Sequence, residues 1–304
     1  MKSKNLFKGV FTALITPFTD YGTVDYAALE RIVNFQIENG IDGLVPCGTT
    51  GESPCLSHEE HDRVIAQTIK FAKGRVPVIA GTGSNATNEA IRLSQHAEDA
   101  GVDAVLLVNP YYNKPNQEGL YKHFRAIADS VSIPCVLYNI KGRTGVNLET
   151  DTLIRLVNDC PNIYAVKEAS GNIEQMSDVI NRTPDDFIVL SGDDNLALEL
   201  VKRGGDGVIS VASNLFPKEM VNMVHSALEG DFEKAEKIEK HFAPFFKTCF
   251  IETNPIPIKT AMAHYGKCRE IFRLPMCSLE NPAHRTTLIN STDEIFAAIE
   301  RGEM

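Results

Sequence analysis

An alternation of short apolar runs with longer amphipathic segments dominates the chain as far as residue 216. The amphipathic segments begin with polar residues, as in residues 57–71, 85–100 and 150–158. Strand–helix alternation of this kind is typical of a parallel sheet covered by helices. The sequence therefore predicts eight strands, at residues 9–16, 43–47, 76–81, 104–109, 135–139, 163–167, 187–191 and 207–211.

Eight such units fit two architectures, a closed (β/α)8 TIM barrel and an open doubly wound sheet. The turn at residues 48–52 reads Gly-Thr-Thr-Gly-Glu, which differs from the Gly-x-Gly-x-x-Gly dinucleotide fingerprint, and it follows the second strand instead of the first. We therefore predict the α/β class, with a (β/α)8 TIM barrel over residues 1–216.

The pattern changes after residue 216, where the strand-like runs stop. Helical spacing continues over residues 218–228, 232–246 and 256–263 and predicts a C-terminal helical appendage, residues 217–304. The stretch at residues 279–304 is polar and weakly patterned, and we expect a last helix near residues 293–301.

The charge balance narrows the class of ligand. Lys and Arg number 30 against 40 Asp and Glu, a net charge of −10, whereas nucleic-acid or anionic-membrane partners need clustered basic residues. We therefore expect small-molecule substrates, no nucleic acid and no membrane. The N-terminus lacks the apolar stretch of a signal peptide, and the seven cysteines form no Cys-x-x-Cys pair. These features predict a cytoplasmic protein with reduced thiols.

Lys167 closes the apolar run of the sixth strand and precedes a turn-prone Ser-Gly-Asn sequence. An amine that loses its hydration favours the neutral form, which attacks carbonyl carbons and forms imines. The alternative is a surface lysine paired with Glu168, which is the more frequent arrangement for a lysine considered alone. The residues at the neighbouring strand ends decide between the two.

Active sites of such barrels lie at the C-terminal ends of the strands. Thr49 and Thr50 lie there between glycines, so that free backbone N–H groups can hold a carboxylate, although the turn also fits a plain tight connection. Tyr138 can relay protons, or it can be a buried structural tyrosine.

The loop after the fifth strand and the end of the seventh strand add two candidates. Arg143 matches a carboxylate with two parallel hydrogen bonds, which suits a dicarboxylic or amino-acid substrate. Gly192 permits close backbone approach to a ligand. The alternative at this strand end is helix capping by Asp193 or Asp194.

Several motifs in the same order carry a resemblance to a known family. They are residues 48–53, residues 109–115, Tyr138-Asn139 with Arg143-Thr144-Gly145, and residues 166–172. Over about residues 7–275 the chain resembles the pyruvate-dependent class I aldolase and lyase family, most closely its 4-hydroxy-tetrahydrodipicolinate synthase (dihydrodipicolinate synthase) members. The resemblance implies a lyase of lysine biosynthesis through diaminopimelate.

The resemblance also implies roles for individual residues. Lys167 would form an imine with pyruvate, without metal or organic cofactor, and the resulting enamine would attack L-aspartate 4-semialdehyde. The proton-transfer residues would be Tyr138, Thr49 and Tyr112, the last from a neighbouring subunit of a homotetramer built as a dimer of dimers. Substrate would be bound by Thr50, Arg143, Gly192 and Ile209.

A second set of residues matches the lysine-binding positions of feedback-inhibited family members. It consists of Ser53, His58, His61, Asn85, Glu89 and Tyr111. A carboxylate together with hydroxyl, amide and imidazole groups suits a free amino acid, so the resemblance implies inhibition by L-lysine. Pro54 stands where the family often has a smaller residue, and we expect it to weaken binding. The alternative is helix-start polarity around His58 and surface exposure of His61.

One departure from the family concerns the loop after the fifth strand. Lys141 and Gly142 follow Ile140, whereas the family commonly has proline before its arginine. This change leaves the placement of Arg143 open and adds Lys141 as a second candidate for imine formation. The runner-up function is an N-acetylneuraminate lyase or a related 2-keto-3-deoxy sugar-acid aldolase. A non-catalytic ligand-binding relative is the third alternative.

Overall fold

The computed structural model describes residues 4–304, and the side chains from residue 6 onwards. Residues 1–3 of the predicted barrel segment lie outside the described residues. The eight strands are β1 (Gly9–Ala13), β2 (Gly43–Val45), β3 (Ile79–Gly81), β4 (Ala104–Val108), β5 (Cys135–Asn139), β6 (Ile163–Glu168), β7 (Ile188–Ser191) and β8 (Gly207–Ser210). They are hydrogen-bonded in the order β2-β1-β8-β7-β6-β5-β4-β3, and every ladder is parallel.

Helices follow the strands around the barrel. They are α1 (Tyr26–Glu38), α2 (His58–Ala72), α3 (Thr87–Ala100), α4 (Gln117–Ala128), α5 (Lys141–Thr144), α6 (Thr150–Asp159), α7 (Ile173–Arg182), α8 (Ala197–Lys202), α9 (Pro217–Leu228), α10 (Phe232–Thr248), α11 (Ile256–His264) and α12 (Pro282–Glu300). Polar residues cap several of them. At α2, for example, Ser57 and Glu60 form a reciprocal capping box.

The sheet closes between β2 and β3. Leu44 and Val78 form a parallel bridge, Leu44 N donates to Pro77 O at 3.0 Å, and Gly81 N donates to Pro46 O at 3.0 Å. An open doubly wound sheet has two free edges instead, so the closure confirms the predicted TIM barrel.

Prolines explain why β2 and β3 are shorter than predicted. Pro46 has no N–H to continue the ladder after Val45, and Cys47 has a left-handed φ of 57°. Pro77 similarly precedes the start of β3 at Ile79. The first strand also ends before the predicted residue 16, because Ile15 N turns to donate to the Asn214 side chain at 3.1 Å.

Side chains alternate between the barrel interior and the helix layer. The interior cluster is mostly aliphatic and contains Phe7, Phe11, Ala13, Val45, Ile79, Ala104, Leu106, Val136, Tyr138, Tyr164, Ala165, Ala169, Ile188, Leu190 and Ile209. Leu137 and Val166 belong instead to the cluster between strands and helices. Because side chains alternate along a strand, Lys167 lies on the same inward face of β6 as Ala165.

The C-terminal region wraps back onto the barrel. Helix α9 contacts α8, β1 and β8 and occupies the position of an eighth barrel helix. The domain boundary at residue 216 remains a prediction, and this packing favours a boundary after Leu228.

The last helix, expected near residues 293–301, is present but starts eleven residues earlier. Helix α12 spans Pro282–Glu300, with Asn281 as its side-chain cap and proline at its first turn. It packs against α10 and buries Leu288 and Ile295. Tertiary packing thus stabilises a segment whose own apolar pattern is weak. Within residues 4–304, no helix combines the length and apolar character that a membrane span requires.

Candidate active site

Lys167 lies on β6 inside the C-terminal mouth of the barrel. Its partner in the β5–β6 register is Tyr138, and Lys167 Nζ is 4.3 Å from the centroid of the Tyr138 ring. The residue is 5% exposed. A Cβ at position 192 would lie 2.9 Å from Lys167 Cε, so Gly192 leaves the space that the lysine side chain occupies.

Burial lowers the pKa of Lys167 to about 8. Asp193 and Asp194 act in the opposite direction and raise the pKa, while Arg143 lowers it further. At pH 7 about a tenth of this amine is therefore neutral, compared with less than about 0.1% of an ordinary lysine. Lys167 thus has the charge state that attack on a carbonyl requires.

Glu168 does not serve as the ion-pair partner of Lys167. Successive strand residues point to opposite faces, and the buried Glu168 carboxylate accepts hydrogen bonds from Ser170 N at 2.8 Å and from Asn139 Nδ2 at 3.2 Å. The alternative of a surface lysine paired with Glu168 was wrong, because strand geometry separates the two side chains.

Tyr138 is buried beside Lys167, and burial raises the pKa of its phenol. The Thr49 side chain and the positive charge of Arg143 act in the opposite direction and lower the pKa of the phenol. With a raised pKa the phenol stays protonated at neutral pH, so it is able to donate a proton to a developing oxyanion or hydroxyl leaving group.

The turn at residues 48–52 is fixed from both sides. Within the turn, Gly51 N donates to Gly48 O at 3.1 Å. From the segment after β1, Thr16 Oγ1 donates to Gly51 O at 2.6 Å. From the C-terminal region, Asn254 Nδ2 donates to Thr50 Oγ1 at 3.0 Å. The turn is therefore a rigid element at the mouth, with the Thr50 hydroxyl held in one orientation.

The altered loop still brings Arg143 to the mouth. Helix α5 forms a single turn that ends at Gly145, which has a φ of 76°. Arg143 Nη2 donates to Asn254 O at 3.0 Å. Lys141 is exposed on the same turn. An exposed lysine keeps its hydration, so Lys141 lacks the buried environment that an imine-forming amine needs.

One cavity of about 470 Å³ joins the two groups of predicted residues. Its lining includes Thr49, Thr50, Tyr138, Arg143, Lys167 and Gly192, and also Ser53, His58, His61, Glu89 and Tyr111. Three predicted residues do not line it. Ile209 is fully buried within the barrel, Tyr112 is 90% exposed, and Asn85 uses its backbone carbonyl to accept from Asn113 Nδ2 at 2.8 Å.

The end of the cavity away from Lys167 is polar and partly solvated. His58 Nε2 lies 2.7 Å from Glu89 Oε1, and the Ser84 hydroxyl also donates to Glu89. The hydrogen bonds from Ser84 and His58 lower the pKa of Glu89. His61 is buried, contrary to the alternative of surface exposure, and its Nε2 donates to Gly81 O at 2.9 Å. Glu89 thus retains a negative charge at this end.

The structure adds residues that the sequence analysis missed or left undecided. Asn254 connects the Thr50 turn with Arg143, and Lys259 forms a fully buried ion pair with Glu52, with Nζ 2.6 Å from Oε1. Asp194 accepts from Val211 N and Ala212 N at 3.0 and 2.9 Å and so anchors the end of β8. Among residues 4–304, no group of three His, Cys, Asp or Glu side chains is placed to hold a metal ion.

Known proteins that are similar to this chain in sequence and in structure belong to one enzyme family. The 4-hydroxy-tetrahydrodipicolinate synthase of Methanocaldococcus jannaschii is 53% identical over 285 residues, which cover 94% of this chain and 97% of that protein. The chloride-inhibited dihydrodipicolinate synthase from Acinetobacter baumannii complexed with pyruvate matches with a TM-score of 0.93 at 43% identity, covering 95% of this chain and 99% of that one. The enzyme from Cyanidioschyzon merolae with lysine bound matches with a TM-score of 0.93 at 40% identity, covering 96% and 99%.

The family model described as "Dihydrodipicolinate synthetase family" matches residues 6–291. This match covers the barrel, the turn at residues 48–52, the strand that carries Lys167, and most of the C-terminal region. The resemblance inferred from the four motifs is therefore confirmed. The chain belongs to the dihydrodipicolinate synthetase family and is a lyase.

Proposed function

We propose that this chain condenses pyruvate with L-aspartate 4-semialdehyde, the reaction of 4-hydroxy-tetrahydrodipicolinate synthases, at the branch point of lysine biosynthesis through diaminopimelate. The observation that carries the proposal is a buried amine of lowered pKa, Lys167, in the same cavity as the guanidinium of Arg143. The first group provides covalent catalysis, and the second suits an aldehyde that bears a carboxylate.

The first half of the reaction uses the Lys167 end of the cavity. Neutral Nζ attacks the keto carbon of pyruvate, Tyr138 donates a proton to the departing oxygen, and water leaves. The turn at residues 48–52 receives the pyruvate carboxylate through its backbone and the Thr50 hydroxyl. The protonated imine then withdraws electrons, so that transfer of a methyl proton to the Tyr138 phenolate gives the enamine and restores the phenol. This electron sink is the imine itself, and the proposed reaction uses no metal or organic cofactor.

The second half requires the aldehyde to be held by its own carboxylate. Arg143 provides a planar pair of donors at the mouth, so the aldehyde carbon points inward to the enamine. Carbon–carbon bond formation regenerates the imine. The substrate amine then attacks the imine carbon, the carbon–Nζ bond breaks, and Lys167 leaves as the amine when the ring closes.

The direct test compares acceptors. We expect turnover of pyruvate with aspartate semialdehyde and none with N-acetylmannosamine. Turnover with the sugar alone would assign the chain to the sialic-acid lyase branch. Absence of turnover with both acceptors, in a folded protein, would favour the non-catalytic alternative.

We further propose that L-lysine binds at the polar end of the cavity. Glu89 carries the negative charge for the side-chain or α-ammonium group, and Ser53, His58 and Tyr111 line the same space. A related enzyme has been solved with lysine bound. Tyr111→Phe should relieve inhibition by lysine more than it reduces uninhibited turnover. Equal loss of both would count against this site.

An oligomer is proposed from the position of Tyr112. Its side chain is 90% exposed and its φ is 73°, so this chain holds the phenol away from its own cavity. A hybrid assembled from one Tyr112→Phe chain and one Lys167→Ala chain has one site with both an intact lysine and a donated tyrosine. We expect this hybrid to be active when neither parent is, and an inactive hybrid would contradict the donation. The tetrameric state and the cytoplasmic location remain predictions.

A further inference from the structure

Two carboxylates, those of Glu89 and Asp193, line the cavity. They differ in the number of hydrogen bonds that they accept. Glu89 is bound by His58 and Ser84. The Asp193 carboxylate has no hydrogen bond or ion pair to any residue from 4 to 304, and it does not cap the 3-10 helix that follows it. A partly buried carboxylate without a partner is costly, so an incoming cationic group gains a ready acceptor there.

Asp193 is placed next to both substrate-handling cations. It directly follows Gly192, which lies against the Lys167 side chain, and its charge acts on Lys167. Lys167 and Arg143 both act on Asp193 in return, opposing the effect of burial, which raises the pKa of the carboxyl. Asp194, its neighbour, is bound to the backbone at the end of β8 and is not available to a ligand.

We propose that the Asp193 carboxylate binds the ammonium group of the aldehyde substrate, while Arg143 binds its carboxylate. The inference rests on the proposed function and adds a determinant of specificity to it. The two opposite charges then recognise an α-amino acid aldehyde, and an aldehyde that lacks the amine loses one of its two anchors.

The position of Asp193 also suits the entry of a zwitterion. A second, wider depression of about 750 Å³ runs along α10 and shares Asp193 and Phe250 with the catalytic cavity. Asp193 therefore lies at the border between solvent and the catalytic lysine. An ammonium group held at this border remains close to the mouth while the aldehyde carbon reaches the enamine.

The test compares aspartate semialdehyde with succinic semialdehyde, which is the same aldehyde without the amine. In Asp193→Asn we expect kcat/KM for aspartate semialdehyde to fall about tenfold to a hundredfold, as for a lost charged hydrogen bond. The inhibition constant of succinic semialdehyde, measured in competition with aspartate semialdehyde, should change less than about threefold. Equal weakening of both compounds would overturn the proposal.

Two controls separate this role from others. The rate of imine formation with pyruvate is followed by borohydride trapping well above pH 8, where the Lys167 amine is neutral with or without the Asp193 charge. There it should be unchanged in Asp193→Asn, and a slowed rate would show that Asp193 acts on the Lys167 reaction itself. Glu239→Gln removes a carboxylate from the adjoining depression, and a loss equal to that of Asp193→Asn would indicate general electrostatic attraction. If the wild type does not turn over aspartate semialdehyde, the proposed function itself fails, independently of the variant.

Discussion

Two lysines are buried near the turn at residues 48–52, and they differ in their partners. Lys167 lines the same cavity as the turn, and Lys259 contacts Glu52. Lys259 is completely buried, and its Nζ lies 2.6 Å from Glu52 Oε1. It also lies over the Phe18 ring, 4.2 Å from the centroid. Lys167 is nearly as buried but faces a cavity, with the Tyr138 ring beside it and acidic groups further away.

Burial lowers the pKa of both amines, so burial alone does not distinguish a nucleophile from a structural ion. At Lys259 the charge of Glu52 opposes this effect at direct contact. The ammonium is therefore retained as one half of an ion pair. Lys167 has no such contact and opens to a space of substrate size. A reactive lysine thus needs desolvation, a missing counter-ion and an approach path together.

The largest expected effect comes from removing the reactive amine. Lys167→Met should lower turnover on the order of 10⁴-fold or more, because no other group forms the imine. The same change should raise the free energy of unfolding at pH 7 by up to about 3 kcal/mol, since the folded state no longer holds an ammonium whose pKa it lowers.

The stability gain has a defined pH dependence. Below pH 8 the folded wild type carries the full penalty of the lowered pKa. As pH rises from 8 towards the ordinary pKa of lysine, the unfolded chain binds more protons than the folded one, so wild-type stability rises and the difference from Lys167→Met shrinks. Urea unfolding of the wild type and of Lys167→Met at pH 7 and pH 10 measures this difference in the free energy of unfolding. A constant difference would contradict the lowered pKa.

Removing the structural amine should have the opposite effect on stability. Lys259→Met leaves Glu52 buried without its partner, and we expect a loss of about 3–5 kcal/mol in the free energy of unfolding. The double variant Glu52→Gln/Lys259→Met should recover much of this loss. Because Glu52 belongs to the turn at residues 48–52, the single variant should also raise KM for pyruvate while Lys167 still forms its imine. An unchanged stability would contradict the comparison.

The smallest expected effect is the change in the rate of imine formation with pH. Imine formation with pyruvate should accelerate about tenfold per pH unit below pH 8 and level off above it, because only neutral Lys167 attacks. The raised pKa of Tyr138 keeps its phenol protonated over this range. Rapid-mixing measurement at fixed pyruvate provides the profile, and a rate still rising at pH 10 would indicate an unperturbed lysine.

Local patterns in the sequence predicted the barrel and the residues at the strand ends. Alternation along β5 and β6, together with a parallel register, is enough to bring Tyr138 and Lys167 side by side. The early end of β2 and the late start of β3 were also readable from Pro46 and Pro77, although the apolar runs include these prolines.

The contacts made by the C-terminal region were not predictable in this way. Asn254 and Lys259 reach Thr50 and Glu52 across about two hundred residues of sequence, and no periodicity links positions so far apart. The distinction between Asp193 and Asp194 likewise depends on which carboxylate meets the backbone of β8. Helix α12 was underestimated because its stability depends on packing against α10.

Borohydride reduction of the wild-type protein in the presence of pyruvate, followed by peptide mapping with mass spectrometry, tests the central claim most directly. The account predicts one reduced adduct, on the peptide that contains Lys167, with Lys259 and Lys141 unmodified. An adduct on either of those lysines, or no adduct in a protein that turns over pyruvate, would contradict the account.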